Sequence, residues 1–231
     1  MDVAEFDKFA DEYLATHARN LRISGEDPEY FARYKIEELR RVWTAGNLRE
    51  PGDILDFGSG IGASLPHLKA QFPSAAITAL EVSPRSLAIA AERFSGLARF
   101  VGYDGTDIPL APASYDLIFS SCVFHHIPAE EHVDLLRRLR VLLRPGGRLA
   151  IFEHNPVNPV TRYIVATCEF DENAVLIPAP VFKARQQRAG FSHVRAAFTG
   201  FFPGALRALR PLERHMSILP IGAQYYTLAH D

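Results

Sequence analysis

Three groups of residues in this chain have types and spacings that could do chemistry. The first is a glycine run, Asp56-Phe57-Gly58-Ser59-Gly60-Ile61-Gly62-Ala63. Glycines spaced this way let a backbone approach a ligand closely and then turn into a helix. Gly58, Gly60 and Ala63 also fit the G-x-G-x-x-A fingerprint of dinucleotide binders, so the run alone does not choose its ligand. The second group is a series of acids, Asp56, Glu81 and Asp104, each at or just after an apolar run. The third is three histidines, His125, His126 and His154, titratable near neutral pH and so able to act as bases.

Asp56 separates two ligand classes. A dinucleotide puts its pyrophosphate at the N-terminus of the helix that follows, where the helix dipole favours an anion. A carboxylate ~4 Å away would oppose that anion by about 4 kcal/mol at an effective dielectric of ~20. A cationic nucleoside without phosphate is favoured instead, and S-adenosylmethionine, with its ammonium and sulfonium, has that character. Glu81, followed by Val82, stands 19 residues after Gly62. That is the spacing at which an acid reaches both hydroxyls of an adenosine ribose, and it serves the nicotinamide cofactor equally well. Asp104, with Gly105 beside it, could accept a hydrogen bond from the adenine amino group; the competing reading is a capped Asp-Gly turn. Ser120 and Ser121 fall near the methionine end of such a ligand. His125, His126 and His154 then come near the transferred methyl, as base or as pocket wall. No set of cysteine, histidine and carboxylate residues has familiar metal-ligand spacing, so no metal is expected.

The elements that must carry these residues alternate. Apolar runs at 53–57, 77–81, 99–102, 115–121 and 148–152 read as strands. Helices are expected at about 63–71, from Ser83-Pro84 onward, and at about 129–143, where Val133, Leu136, Leu139 and Leu143 share a face. Pro145-Gly146-Gly147 reads as the stop after the last of these. Such alternation means an α/β fold with a parallel sheet. Its ligand sits outside the carboxyl ends of the strands, where the acids, glycines and histidines fall. The tail breaks the rhythm: a helix at 184–189 and strands at 194–198 and 224–229 suggest a closing antiparallel hairpin. Residues 1–50 read as a helical cap, with Phe6, Phe9, Tyr13, Tyr30, Phe31 and Tyr34 at helical spacing. Residues 51–231 form the core, with insertions at about 155–180 and 199–220 over the binding face.

At this point the chain resembles the class I S-adenosylmethionine-dependent methyltransferases, in the broad group that includes ubiquinone and menaquinone biosynthesis enzymes. The run 54–62 resembles their glycine-rich first motif, Leu80-Glu81-Val82-Ser83 the ribose-binding acid and its neighbour, and 102–110 the adenine-binding segment. Tyr115-Asp116-Leu117-Ile118, Phe124-His125-His126-Ile127 and Leu143-Arg144-Pro145-Gly146-Gly147 resemble the later motifs. The likeness covers about residues 50–153, in the family's order. One departure is Tyr103-Asp104-Gly105, where the family often has glycine before the acid; Tyr103 either covers the adenine or only packs. The resemblance implies a Rossmann-like, seven-stranded, mostly parallel sheet with the last strand antiparallel and helices on both faces. It implies S-adenosylmethionine as cofactor and S-adenosylhomocysteine as product. It also implies N-terminal helices that close over the cofactor, where Lys35 either meets the cofactor carboxylate or is a solvated charge.

Composition limits the partners. Net charge is −2, from 25 basic and 27 acidic residues, which gives no basic footprint for nucleic acid. An acidic first dozen residues, no long apolar run and two cysteines, Cys122 and Cys168, outside any cluster suggest a cytoplasmic protein with reduced thiols. The expected partner is a small-molecule methyl acceptor. The aromatics Phe170, Phe182, Phe198, Phe201, Phe202, Tyr225 and Tyr226 admit a hydrophobic or lipid-like one. Within 203–215, Arg207, Arg210 and Arg214 fall near one face, as in a lid with a solvated face or a helix touching a membrane surface. Two rivals stay open: a protein that binds the cofactor without turnover, and a nicotinamide-dependent oxidoreductase.

Overall fold

The computed structural model describes residues 26–168 and 171–231. The aromatics Phe6, Phe9 and Tyr13 of the expected cap, and Phe170, lie outside the described residues. Helix α1 spans Pro28–Ala45. Proline suits its first turn, and the Asp27 side chain accepts from the Tyr30 amide at 2.7 Å. Ile36, Leu39 and Trp43, on one face of α1, are buried.

Six alternating elements follow: β1 (Asp53–Phe57), α2 (Leu65–Gln71), β2 (Ala76–Glu81), α3 (Pro84–Arg93), β3 (Arg99–Gly102) and β4 (Tyr115–Ser121). Ser83 caps α3 by accepting from the Ser86 amide. Then come α4 (His132–Leu142), β5 (Leu143–His154), α5 (Pro159–Ala166), α6 (Ala179–Arg188), β6 (His193–Thr199) and β7 (Gln224–His230). The seven strands lie in the order β3-β2-β1-β4-β5-β7-β6. Only β7 runs against its neighbours, pairing antiparallel with β5 and β6. The hairpin expected from the tail is therefore present.

Alternation along the strands divides the core into two faces. Leu55, Phe57, Ile118, Leu149 and Ile151 pack with Leu135, Leu136 and Leu139 of α4 and Phe182 of α6. Ile54, Leu117, Phe119, Ala150 and Phe152 pack with Ile36, Leu39 and Trp43 of α1 and with Leu65 and Leu68 of α2. Asp56 shares its side of β1 with Ile54, and so looks toward the α1 face.

Three expectations change. Pro145-Gly146-Gly147 does not precede the fifth strand but lies inside β5, where the register with β4 jumps from Tyr115↔Leu143 to Leu117↔Arg148. The extra residues bulge out, which a proline and glycines tolerate. Helix α6 begins at Ala179, five residues before the expected start, with a proline in its first turn. Residues Gly204–His215 form 3₁₀ turns, kinked at Leu206 and containing Pro211, rather than a regular amphipathic helix.

Candidate active site at the carboxyl ends of β1, β4 and β5

Strand order reverses between β1 and β4, the switch point at which such sheets carry a ligand crevice outside their strand ends. Gly58 has φ +71°, and a Cβ there would come within 2.4 Å of Val123 Cγ2, so only glycine lets the two loops touch. Gly60, at φ +51°, faces open space: nothing lies within 4 Å of where its Cβ would be. The amides of Gly58 and Ser59 both donate to the Leu80 carbonyl, and Gly62 closes the turn onto the Ser59 carbonyl at 2.9 Å.

Glu81 organises this loop. Its Oε2 accepts from the Gly60 amide at 2.8 Å, and its Oε1 accepts from the Val82 and Ser83 amides at 2.9 Å each. Asp56 is buried, and its Oδ2 has no hydrogen-bond partner among the described residues. Burial, with the Glu81 carboxylate nearby, pushes its carboxyl up to about 7. Two more buried oxygens at the crevice, Ser59 Oγ and Ser120 Oγ, likewise lack a partner among the described residues. Asp104 is exposed; its Oδ1 accepts from the Thr106 and Asp107 amides at 2.8 and 2.9 Å, forming the capped turn around Gly105. Those amide bonds hold its carboxyl below the usual range. Tyr103 packs its ring 5.9 Å from that of Phe57.

Beyond β4 and β5 the histidines gather. Buried His125 bonds through Nδ1 to Glu153 Oε2 at 2.6 Å. Glu153 Oε1 accepts from the amides of Val123 and Phe124. The Asp171 carboxylate oxygen Oδ1 stands 3.5 Å from Nε2 of both His125 and His126. The Val175 amide donates to the His125 carbonyl at 2.8 Å, which ties the segment carrying Asp171 over the cluster. Burial opposes a charge on His125, but Glu153 and Asp171 overcome it and raise the imidazole to about 10. Burial and the neighbouring His125 push His126 down to about 4. The His154 ring lies 5.2 Å from that of His125.

Lys35 is not a solvated charge. It is buried, donating to Ser121 Oγ at 2.6 Å and to Cys122 Sγ at 3.3 Å. Burial opposes ionisation of the Cys122 thiol, yet Lys35 and His154 bring it down to about 6. Arg210 is not part of a solvated basic face either: it pairs with Glu26 at 2.5 Å and stacks 4.4 Å from the centre of the Tyr30 ring. Glu213 accepts from the Tyr34 hydroxyl at 2.7 Å, so the 3₁₀ segment is strapped onto α1. Of the expected substrate-side aromatics, Phe182, Tyr225 and Tyr226 are core residues.

The fold thus gathers Asp56, Gly58, Ser59, Gly60, Gly62, Glu81, Val82 and Ser120 at one crevice, and His125, His126 and His154 in one adjoining cluster. Asp104 and Gly105 form an exposed turn after β3. Sequence reasoning missed Glu153, Asp171 and the Lys35–Cys122 pair. Glu153 follows the apolar run of β5, as Glu81 follows that of β2, and that placement could have marked it. Asp171 has no comparable local signal.

Residues 54–147 match a family model described as a methyltransferase domain. A trans-aconitate 2-methyltransferase from Methylobacterium nodulans is 39% identical over 150 residues, covering 65% of this chain and 48% of that protein. A malonyl-[acyl-carrier protein] O-methyltransferase from a Marinomonas species is 29% identical over 137 residues, covering 58% and 50%. The chain spans about half the length of these two curated relatives. Among solved structures, a SAM-dependent methyltransferase from Thermotoga maritima superposes with TM-score 0.68 over 98% of both chains at 18% identity, which establishes a shared fold. Residues 54–147 are thus similar to a methyltransferase domain, and the chain shares its fold with a SAM-dependent methyltransferase.

Proposed function

We propose that this protein transfers a methyl group from S-adenosylmethionine to a small-molecule acceptor. The observation that carries this reading is the set of buried oxygens at the β1/β4 crevice, Asp56 Oδ2, Ser59 Oγ and Ser120 Oγ, left without partners among the described residues. Each such atom costs about 1–3 kcal/mol unless a ligand satisfies it. A ligand rich in donors and positively charged fits that set, with the open space over Gly60 to receive it.

In this reading Asp56 faces the ligand's ammonium end and Lys35 its carboxylate. The backbone of Gly58, Ser59, Gly60 and Gly62 forms the floor. Glu81 and Val82 hold the ribose, Asp104 and Gly105 border the adenine, and Ser120 lies at the methionine portion. Helix α1 belongs to the cap of this crevice. When bound, the cofactor supplies an electrophilic methyl carbon. The chain's own task is to hold the acceptor in line and exclude water, and orientation alone can contribute about 7–11 kcal/mol. His125, protonated between two carboxylates, positions its neighbours rather than taking a proton. Where the acceptor must lose one, His154 is the group that receives it.

The relatives are named for trans-aconitate and for a malonyl carrier protein, and both names denote carboxylic acids. A carboxylate acceptor is accordingly our first choice. A hydrophobic or lipid-like acceptor has less support now that three of the aromatics lie in the core. No described helix is long and apolar enough to cross a membrane. We place the activity in the cytoplasm.

Calorimetry with S-adenosylhomocysteine tests the cofactor site. The wild type binds it and does not bind NAD, and Asp56→Ala and Glu81→Ala each weaken binding at least tenfold, or about 1.4 kcal/mol. Unchanged affinity in both variants overturns the assignment. Labelled methyl transfer to a panel of di- and tricarboxylic acids tests the acceptor. Binding without transfer on any acceptor would favour a non-catalytic cofactor-binding protein.

A further inference from the structure

We propose that His125, His126 and Asp171 form a divalent-cation site beside the crevice, of the two-imidazole, one-carboxylate kind that takes Zn²⁺ or a similar transition ion. Nε2 of His125 and Nε2 of His126 each stand 3.5 Å from the same oxygen, Oδ1 of Asp171. All three residues offer a ligand atom within 4.8 Å of the others. These separations are too long for good hydrogen bonds. They match an ion's geometry better: bonds of about 2.0–2.1 Å in a tetrahedron put neighbouring ligand atoms roughly 3.3–3.4 Å apart. Two of the three edges are already near that length.

The surroundings are those of a supported ligand. His125 uses Nδ1 on Glu153 at 2.6 Å, which leaves Nε2 to face Asp171. Glu153 is itself held by the Val123 and Phe124 amides. A carboxylate behind a metal-bound imidazole fixes its tautomer and strengthens it as a donor. Charge agrees as well. Two carboxylates and two neutral imidazoles around one dication sum to zero, and the proton displaced from His125 leaves to solvent. His154 adjoins the cluster, its ring 5.2 Å from that of His125. Three protein ligands leave a position open for an oxygen donor. That the methyl acceptor's own carboxylate or hydroxyl fills it rests on the methyltransferase reading; the ion itself does not.

The test uses full-length protein without a histidine tag, stripped with chelator, and titrated with Co²⁺ and Zn²⁺ by calorimetry and visible absorption. One ion per chain is expected, with the intense bands of four-coordinate Co²⁺. His126→Gln and Asp171→Asn each weaken uptake at least tenfold. His193→Gln does not, although His193 and His230 stack at 4.7 Å on the sheet edge and form the rival imidazole pair. In the wild type alone, bound Co²⁺ gives two strongly shifted imidazole N–H resonances, a readout that needs no variant to fold. No stoichiometric uptake at about 100 µM metal, a smaller loss in either variant, or a loss in His193→Gln overturns the site. S-adenosylhomocysteine affinity, measured on the same metal-free samples, tells failure of the ion site from failure of the cofactor reading.

Discussion

The glycine crevice and the histidine cluster lie at the same end of the sheet but are built in opposite ways. In the crevice the backbone does most of the work: amides of Gly60, Val82 and Ser83 converge on Glu81, and glycine conformations shape the floor. All of these residues sit within two short runs that leave adjacent parallel strands. In the cluster side chains do the work, and they come from four separate places: α1, the ends of β4 and β5, and the segment around Asp171. A floor made of backbone depends on its φ angles and on the clearance around its glycines rather than on side-chain partners. A cluster of side chains depends on every partner, and one buried carboxylate, Glu153, holds its centre.

That difference predicts where the molecule is most fragile. Glu153→Ala leaves His125 buried beside two amides that have lost their acceptor. Breaking a buried, hydrogen-bonded ion pair costs about 3–5 kcal/mol, which chemical denaturation reads directly. A loss under about 1 kcal/mol would mean that the cluster is not the side-chain-dependent region described here.

The crevice should fail differently. Gly58→Ala must accept φ +71° and a Cβ 2.4 Å from Val123. Strain of about 1–2 kcal/mol and overpacking of about 1–3 kcal/mol put its cost near 2–5 kcal/mol. Gly60→Ala meets no atom and carries only the strain, about 1–2 kcal/mol. Its methyl nevertheless fills the space over the loop, so S-adenosylhomocysteine binding should fall further than stability does. Equal stability losses in the two variants would show that the contact between the β1 and β4 loops is not the reason for glycine at 58.

How much of each region could be read beforehand follows from the same contrast. Strands β1, β3 and β4 have the ends expected from apolar runs; β1 and β4 are largely buried on both sheet faces, whereas β3, at the sheet edge, is only partly buried. The acids and glycines of the crevice were legible because each lies at or just after the end of a strand. The cluster was legible only as histidines. His125 and Asp171 are 46 residues apart, Lys35 and Ser121 are 86 apart, and Tyr34 and Glu213 are 179 apart. No periodicity spans those distances; they exist only once the sheet is assembled. Pro145-Gly146-Gly147 misled for a local reason, since the residues that end a helix are also those that let a strand bulge.

Asp56 offers the finest test of the crevice. An isolated aspartate titrates near 3.8, whereas burial beside Glu81 raises Asp56 to about 7 in the folded chain. Between those values the folded state holds a proton that the unfolded state has lost. The stability contribution of Asp56 is therefore fully present below about pH 4, falls as pH rises toward 7 and is flat above it, opposite to a salt-bridged aspartate. The slope approaches 1.4 kcal/mol per pH unit at most, about the value of one proton. Glu81 beside it accepts from three amides, whereas Asp56 Oδ2 has no hydrogen-bond partner among the described residues. Denaturation curves at pH 4.5–7 should show this slope in the wild type and its loss in Asp56→Asn, a pH window set by the Asp56 shift. An ammonium group placed at Asp56 favours its ionised form, so S-adenosylhomocysteine binding near pH 6 should release up to one proton, seen as buffer-dependent heats in calorimetry. The same slope in both proteins would place the proton elsewhere. Proton uptake on binding would mean that the crevice does not receive its ligand's positive end at Asp56.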